Sequence, residues 1–328
     1  MNRLLLSVLS VALIGGAFAY PAPYVADVST PEARAAVTER LWAHDLSADV
    51  RLWPADRLKP GAEEKPFAFT EKELAQSNLV IGDVVNPQFT FFPAKGEGRH
   101  PAVVVFPGGG YFVLGWNKEG TKIAEWLNEL GFSAAVLLYR TADRDAALCD
   151  AQRTMGLLRR DAEKYGIDPR RLGVIGFSAG ANLAVRLSTN WRTRRYERVD
   201  DADDRSCRPD FQLPIYPWDL LPRNDPSTPW KGHKGMEIRQ DDYPVDADTP
   251  RAFIVQSEED FCQPETSLAY YAALKRAKVP AELHLYEQGG HGGHGYGIRQ
   301  LGFPTDGWVR NAEIWLKRTC GLTASRAE

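Results

Sequence analysis

The serine at position 178 has the sequence setting that points most clearly to chemistry. It is the middle residue of GFSAG, residues 176–180, a G-x-S-x-G pattern between an apolar run of strand length and a helical pattern. Glycines at both ends allow a sharp strand-to-helix turn, which exposes the serine hydroxyl at the end of a sheet. The pattern predicts a nucleophilic serine, and a serine that only caps the following helix is the alternative.

A second glycine-rich turn, PGGGY at residues 107–111, follows an earlier apolar run. When a serine attacks an ester, the carbonyl oxygen becomes an oxyanion that preorganised N–H donors must stabilise. Glycines let backbone N–H groups turn toward that oxygen, and the residue after the nucleophile adds another donor. We therefore expect an oxyanion hole formed by Gly109, Gly110 and Ala179. A plain tight turn is the alternative.

A serine nucleophile also needs a histidine base and a carboxylate that orients the histidine. The loop SEED, residues 257–260, and the loop QGGHGGHGYG, residues 288–297, each follow a run of strand length. They supply the two groups in the order serine, acid, histidine that a strand-end serine enzyme uses. The histidines at positions 44, 100, 233 and 284 stand at no suitable strand end.

Three hypotheses compete for the histidine loop: a catalytic base, a metal site at His291 and His294, or a flexible loop. Six glycines in ten residues cost entropy on folding. A metal site needs a third and preferably a fourth ligand, and no cysteine pair is close in sequence. A purely flexible loop would leave Ser178 without a base. The pattern therefore favours a base and no bound metal, with either histidine open as the candidate.

Apolar runs of strand length alternate with stretches of helical periodicity. Strands are predicted near residues 90–92, 102–106, 132–139, 172–176, 211–216, 252–256 and 282–286, and helices near 123–130, 148–158, 181–188 and 267–277. Strands that are apolar throughout are typical of a parallel sheet covered by helices on both faces. The sequence predicts an α/β fold with a mostly parallel, doubly wound sheet, whose chemistry lies at the carboxyl ends of the strands.

The first 19 residues have the pattern of a signal peptide. Arg3 precedes an apolar stretch too short to span a bilayer, and Ala-Phe-Ala at residues 17–19 is a cleavage signal. An uncleaved anchor is the alternative. We expect a periplasmic or secreted protein with no further membrane span. In such a protein the cysteines at positions 149, 207, 262 and 320 could form one or two disulfides.

The rest of the chain suits one large domain. Residues 20–80 are proline-rich and predict an extension packed on a catalytic domain over 81–320, with a substrate loop at 217–250. A net charge of −3 without a basic stripe argues against nucleic acid as a partner. The acidic run 200–204 lacks the glycine and distal glutamate of a calcium loop and is predicted to be solvated. No cofactor is expected.

The sequence resembles the bacterial α/β-hydrolase carbohydrate esterases of the acetylxylan and feruloyl esterase type. The segments that carry the resemblance extend over about residues 84–318: VVVFPGGGY at 103–111, KEG at 118–120, DAQR at 150–153, GIDPRRLGVIGFSAG at 166–180, SCRPDF at 206–211, ED at 259–260, PETSLAYY at 264–271 and GGHGYGIR at 292–299. The resemblance implies an α/β-hydrolase fold and a metal-free Ser–Asp–His esterase. Its expected substrates are acetyl or feruloyl esters of plant polysaccharides.

The resemblance also bears on individual residues. It assigns the acid to Asp260, the second acid of a pair whose first member here is Glu259. Ala-Asn at residues 181–182 replaces the usual Gly-His after the elbow, which changes the expected shape of the pocket. Four aromatic residues are predicted to bind a sugar or an aromatic acyl group: Tyr111, Trp116, Trp218 and Trp230. Burial as core residues is the alternative.

The resemblance gives two counts for the base. His291 stands five residues after Tyr286, which is the usual distance, whereas His294 is followed by the usual Gly-Tyr-Gly-Ile-Arg. The chain therefore contains a three-residue insertion on one side of the base or the other. We expect His294 to be the base, because the aromatic Tyr296 can fix the loop and an insertion in the glycine stem costs little. His291 is the alternative.

Other functions remain as alternatives to a polysaccharide esterase. A peptidase of the prolyl-oligopeptidase type shares the order of the triad but usually carries a second large domain. A carboxylesterase of small molecules needs the same catalytic residues. A binding protein derived from a hydrolase would be expected to lack a triad residue, and none is missing here.

Overall fold

The structure is a computed structural model that describes residues 49–57, 80–222 and 236–322. The predicted signal peptide, most of the predicted extension over 20–80, Trp230 and the middle of the predicted substrate loop lie outside the described residues.

The described residues contain ten strands and five α-helices. The strands are β1 (Asp49–Arg51), β2 (Val80–Gly82), β3 (Gln88–Phe92), β4 (His100–Phe106), β5 (Val113–Gly115), β6 (Ser133–Leu138), β7 (Ile167–Phe177), β8 (Phe211–Ile215), β9 (Arg251–Ser257) and β10 (Ala281–Tyr286). The helices are α1 (Lys122–Glu129), α2 (Arg144–Arg160), α3 (Ala179–Thr189), α4 (Glu265–Arg276) and α5 (Trp308–Thr319). Short turns of other helix types occupy Asn117–Thr121, Asp201–Asp204 and Pro304–Gly307.

Eight of these strands form one sheet in the order β1-β3-β6-β4-β7-β8-β9-β10. β3 is antiparallel to both of its neighbours, and the pairs from β6 to β10 are parallel. The predicted mostly parallel sheet is therefore confirmed. Because β7, β9 and β10 point the same way, the loops that follow them meet at one edge of the sheet.

Helices cover both faces of the sheet. Phe253 of β9 packs in a large core that includes Trp308 of α5, whereas its neighbour Ile254 packs in a smaller core with Tyr270 of α4. Successive side chains of a strand point to opposite faces. Helices α4 and α5 thus lie on opposite faces, as the fully apolar strands predict.

Several elements lie outside the predicted set. Helix α5 was not predicted, although its apolar residues recur at helical spacing. Strands β2 and β5 form a separate two-stranded antiparallel sheet, and β1 extends the edge of the large sheet next to β3. Beside β1, the Trp53 indole donates a hydrogen bond of 2.6 Å to Asp150 on α2. Short strands of three residues leave little periodic signal in a sequence.

Two expectations about polar residues differ from the structure. The acidic run 200–204 is ion-paired rather than freely solvated, since Arg153 pairs with Asp200 and Asp203. The four cysteines are all free, so the disulfides considered for an exported chain are not formed. None of the helices that the structure describes is long and apolar enough to cross a membrane.

Candidate active site

Ser178 occupies a strained turn between β7 and α3. Its φ of +53° and ψ of −117° lie in a region that non-glycine residues rarely adopt. The flanking glycines are required by close contacts: a Cβ on Gly176 would lie 2.1 Å from the Gly180 carbonyl oxygen, and one on Gly180 would lie 2.0 Å from the Phe106 oxygen. The turn therefore matches the elbow predicted from G-x-S-x-G and leaves Ser178 partly exposed.

His294 lies between Ser178 and Asp260. Its Nε2 is 2.7 Å from the Ser178 Oγ, and its Nδ1 is 2.8 Å from Oδ2 of Asp260. A carboxylate only accepts hydrogen bonds, so Nδ1 carries the proton and Nε2 is left free to accept the serine proton. The three predicted residues thus have the distances that a serine–histidine–acid relay requires.

Asp260 is fixed by more than the histidine. Its Oδ2 also accepts a 2.7 Å hydrogen bond from the Gln256 amide, whose oxygen accepts one from the hydroxyl of Ser267. Its Oδ1 accepts a 2.7 Å hydrogen bond from the backbone N–H of Cys262. The carboxylate is buried, and these donors hold it in the orientation that faces His294.

The pKa of His294 is raised well above its usual value of 6.5. Burial alone would lower it, because a buried imidazolium is poorly solvated, but the charge and hydrogen bond of Asp260 outweigh burial. The Cys262 side chain acts in the same direction. The imidazolium that forms when the histidine accepts a proton is therefore stabilised.

The glycine-rich loop packs against Asp260 and Glu259 rather than forming a flexible segment. Gly293 has a φ of +77°, and a Cβ there would lie 2.6 Å from the Asp260 backbone nitrogen, so only glycine fits. Glu259 accepts a 2.9 Å hydrogen bond from the N–H of Gly289 at the base of the loop. His291 is exposed with a φ of +60°, whereas His294 is 8 % exposed and faces the serine. These contacts offset part of the entropy that six glycines lose on folding.

Aromatic rings pack against the His294 ring and against the residues that follow it. Tyr296 packs against Tyr216 with ring centres 4.5 Å apart, and Tyr216 packs against the His294 ring at 4.9 Å. The Trp308 indole of α5 donates a 2.9 Å hydrogen bond to the carbonyl of Gly297. The aromatic residue two places after His294 therefore fixes the loop, as the sequence suggests.

The PGGGY loop lies against the elbow. A Cβ on Gly108 would come within 2.9 Å of the Ser178 Cβ, which measures how closely the two backbones approach. Gly109 and Gly110 have φ values of +139° and +65°. Ala179 is the first residue of α3, where backbone N–H groups have no partner within the helix. The PGGGY loop thus lies beside the elbow, and the oxyanion hole of Gly109, Gly110 and Ala179 stays a prediction.

Glu119 is a buried acid that the sequence analysis missed. It is 3 % exposed and accepts hydrogen bonds from the Gly108 N–H at 2.9 Å and from the Tyr216 hydroxyl at 3.0 Å. The same hydroxyl accepts a 3.0 Å hydrogen bond from the N–H of Gly297. Glu119 thereby links the PGGGY loop to the histidine loop. The available signal was its place in KEG at 118–120, which was quoted only for the resemblance.

Asn182 forms the centre of a second missed network, one helical turn after Ser178. Its oxygen accepts hydrogen bonds from the Tyr111 hydroxyl at 2.9 Å and from Arg144 at 3.0 Å. Its amide donates to the Tyr243 hydroxyl at 2.7 Å and to the Trp218 carbonyl at 2.8 Å. At this position the chain has a buried amide whose oxygen and nitrogen both form hydrogen bonds. These bonds connect Tyr111, Arg144, Trp218 and Tyr243 to α3.

The three predicted substrate-binding aromatics differ in position. Trp116 is 0 % exposed and belongs to the core, so the expectation that it contacts substrate is wrong in this structure. Tyr111 is also buried, with its hydroxyl bonded to Asn182 and its ring under the Arg144 guanidinium. Trp218 is only partly buried, contacts Arg144 through its ring and donates its backbone N–H to the Ser178 carbonyl. Trp218 is therefore the one best placed to meet a substrate.

Two family models and several curated proteins match parts of this chain. A family model described as BD-FAE matches residues 90–212, and the prolyl oligopeptidase family model matches residues 216–321. An acetylxylan esterase of Xylanibacter ruminicola is 30 % identical over 62 % of this chain, and an endo-1,4-beta-xylanase B of Butyrivibrio fibrisolvens is 29 % identical over 59 %. The matched segments make up 42 % and 32 % of those relatives, so the chain spans less than half of either one.

One solved structure is similar to this chain over almost the whole length of the solved chain. The acetyl ester-xyloside bifunctional hydrolase from Caldicellulosiruptor lactoaceticus has a TM-score of 0.66 and 28 % sequence identity. The match covers 84 % of this chain and 97 % of that one. Esterases and carboxylesterases recur among the similar proteins, which supports the expectation of a carboxylic ester hydrolase. The chain has the α/β-hydrolase fold, and its resemblance to the carbohydrate esterases of that fold is confirmed.

Proposed function

We propose that this chain is a serine esterase that hydrolyses acetyl or feruloyl esters of polysaccharides such as xylan. The observation that carries the proposal is the pair of short hydrogen bonds through His294, at 2.7 Å to Ser178 and 2.8 Å to Asp260. Nucleophile, base and orienting acid in this arrangement are the parts that acyl transfer needs.

The first half of the reaction forms an acyl-enzyme. The Ser178 oxygen attacks the ester carbonyl while Nε2 of His294 takes the hydroxyl proton, and Asp260 stabilises the imidazolium. The N–H groups of Gly109, Gly110 and Ala179 stabilise the oxyanion of the tetrahedral intermediate. His294 then donates its proton to the departing sugar hydroxyl. In the second half, His294 deprotonates a water molecule that attacks the acyl-enzyme carbonyl. The bond to Ser178 then breaks, His294 returns the proton to the serine oxygen, and acetate or ferulate leaves.

Polysaccharide esters are proposed because of the relatives. The similar proteins include one named an acetylxylan esterase and a solved acetyl ester-xyloside hydrolase. Trp218, whose backbone N–H donates to the Ser178 carbonyl, offers a partly exposed aromatic ring near the elbow, which suits a sugar ring. We extend the proposal to export, with cleavage after Ala19, on the basis of the N-terminal pattern alone.

Acetate and ferulate release from a substrate panel tests the proposal. The panel contains acetylated xylan, acetylated pectin, feruloylated arabinoxylan, acetylated simple sugars, p-nitrophenyl acetate and a peptide anilide. Ser178→Ala is the matched control for any contaminating activity. We expect release from a polysaccharide ester that the variant lacks.

The other outcomes favour the other functions. Cleavage of the peptide anilide alone would favour the peptidase, which the prolyl oligopeptidase match at residues 216–321 keeps as the second candidate. Turnover of p-nitrophenyl acetate alone would favour a carboxylesterase of small molecules. No turnover of any substrate would favour a binding protein. Export is tested separately, by sequencing the N-terminus of the protein recovered from the periplasm or medium.

A further inference from the structure

A third metal-ligating side chain lies beside the triad. The Cys262 thiol, a carboxylate oxygen of Asp260 and a ring nitrogen of His294 all lie within 4.8 Å of one another, and all three residues are buried. The thiol is not in a disulfide. The thiol is not the nucleophile, the base or the acid of the proposed ester hydrolysis, and it is the backbone N–H of Cys262 that donates to Asp260.

We propose that Cys262, Asp260 and His294 form an inhibitory site for a soft divalent cation of the zinc and cadmium class. Thiolate, imidazole and carboxylate together are a donor set that Zn²⁺ and Cd²⁺ bind, whereas Mg²⁺ and Ca²⁺ prefer oxygen ligands. Three protein ligands leave a fourth position for water. The proposal rests on the proposed function in that metal binding there blocks the catalytic base.

The charge of the site suits a divalent cation. The ligand forms are the Asp260 carboxylate, the Cys262 thiolate and the neutral His294 imidazole, which together carry two negative charges. Metal binding releases the thiol proton to solvent, because the thiolate is the ligand. The bound site then contains two anionic ligands, one neutral imidazole and M²⁺, and is neutral overall. A neutral product avoids the cost of burying a net charge.

The metal would change the tautomer of His294. Nδ1 now carries the proton that faces Asp260, and the ion takes that position, so this proton moves through solvent to Nε2. An Nε2–H donates to the Ser178 oxygen instead of accepting its proton, and the serine is no longer activated. One metal ion is bound, the Cys262 S–H bond breaks and releases its proton to solvent, the Nδ1 proton of His294 is transferred to Nε2, and no other bond of the protein is broken.

The distances permit this after a small movement. Ligand atoms around tetrahedral zinc lie roughly 3 to 4 Å apart, since metal–ligand distances are about 2.0 to 2.3 Å. The 2.8 Å between Nδ1 of His294 and Oδ2 of Asp260 must therefore widen slightly, and separations of up to 4.8 Å must shrink by about 1 Å. Phe261, which lies beside the His294 ring at 5.2 Å, is 53 % exposed, so solvent reaches the edge of the site.

The first experiment measures inhibition of p-nitrophenyl acetate hydrolysis by buffered free Zn²⁺ or Cd²⁺. We expect full inhibition that a chelator reverses, and no inhibition by Mg²⁺ or Ca²⁺. With inhibition expressed relative to each variant's own metal-free rate, Cys262→Ser should raise the half-inhibiting metal concentration at least about tenfold, because it removes the soft ligand. Cys149→Ser, which alters a half-buried thiol away from the triad, is the matched control and should leave inhibition unchanged.

The second experiment needs no activity. Cadmium is titrated into Ser178→Ala and into the Ser178→Ala, Cys262→Ala double variant, and the ultraviolet cadmium–thiolate absorption is recorded. One cadmium-dependent band that the double variant lacks supports the site even if the esterase proposal fails. Equal inhibition of Cys262→Ser and wild type, or equal absorption of the two cadmium-titrated variants, would overturn it. Absence of inhibition up to millimolar Zn²⁺ would do the same.

Discussion

Replacing Glu119 by glutamine should slow catalysis although this residue is not proposed to touch the substrate. Each carboxylate oxygen accepts one buried hydrogen bond, from the Gly108 N–H at 2.9 Å and from the Tyr216 hydroxyl at 3.0 Å. The amide of glutamine has only one acceptor oxygen. One of the two donors must therefore lose its acceptor, which disturbs either the PGGGY loop or the tyrosine that holds Gly297.

The size of the effect follows from the bond that is lost. A hydrogen bond to a charged group contributes about 1.5–3 kcal/mol, and about 1.4 kcal/mol corresponds to a tenfold change in rate. If the loss is felt in the alignment of the oxyanion donors, kcat should fall about 10-fold to 100-fold. That range stays below the factor of about 10² to 10³ seen when an oxyanion donor is deleted outright. KM should change little, because the ground-state carbonyl depends less on these donors.

The assay must separate positioning from loss of folded protein. Steady-state kinetics on p-nitrophenyl acetate give kcat and KM, and the initial burst of p-nitrophenol counts the active sites that form acyl-enzyme. Glu125→Gln is the matched control, since Glu125 is exposed on α1 in the same part of the chain. Melting temperatures of both variants show whether the comparison is made well below unfolding.

Two results would refute the reasoning. The first is a kcat per active site within about twofold of the wild-type value, which would show that the Glu119 link has no role in alignment. The second is a lower activity explained wholly by a smaller burst or a lower melting temperature, which would make Glu119 a residue of the core. Loss of turnover at a full burst would instead point to deacylation, where the same donors act on the second tetrahedral intermediate.

Four further predictions concern the proposed triad. Ser178→Ala should lose several orders of magnitude in kcat on p-nitrophenyl acetate with an unchanged circular dichroism spectrum, and a rate within tenfold of wild type would remove the serine from the mechanism. Asp260→Asn should lower kcat about 10⁴-fold and Glu259→Gln about twofold or less, because only Asp260 contacts His294 and a glutamine oxygen can still accept the Gly289 N–H; a reversed order would move the acid. His294→Ala should be inactive and His291→Ala close to wild type, which rate measurements on both variants check. Because the pKa of His294 is raised, kcat/KM of the wild type should fall as pH drops through a value above about 6.5, and an acid limb at or below that value would show that Asp260 does not raise this pKa.

The parts of the fold that sequence reasoning could predict are those with a strong local signal. Strands β4, β6 and β7 are apolar throughout because helices cover both faces, and such runs are readable without a structure. The elbow was readable because its positions require glycine: a Cβ at either one would lie only 2.0 to 2.1 Å from a backbone oxygen. The order of strand ends then allowed Asp260 and His294 to be placed at the same edge as Ser178.

The parts that could not be predicted depend on contacts between distant segments. The hydrogen bond from Tyr216 to Glu119 joins residues 97 positions apart, and the one from Tyr111 to Asn182 joins residues 71 apart. A buried acid and an exposed acid look alike in a sequence, because burial follows from packing that forms only on folding. For the same reason Trp116 could be taken for a substrate residue, although the structure buries it completely.

The histidine loop shows how a flexible composition can hold a base firmly. Its glycines do not supply rigidity themselves; they let the chain pass within van der Waals contact of Asp260, where a side chain at Gly293 would not fit. Rigidity comes from outside the loop, through Glu259 at Gly289, Trp308 at Gly297 and the ring of Tyr216 against His294. Insertion of residues into the glycine stem therefore costs little as long as these three attachments persist. The attachments, rather than the distance from the strand, decide which histidine faces Ser178.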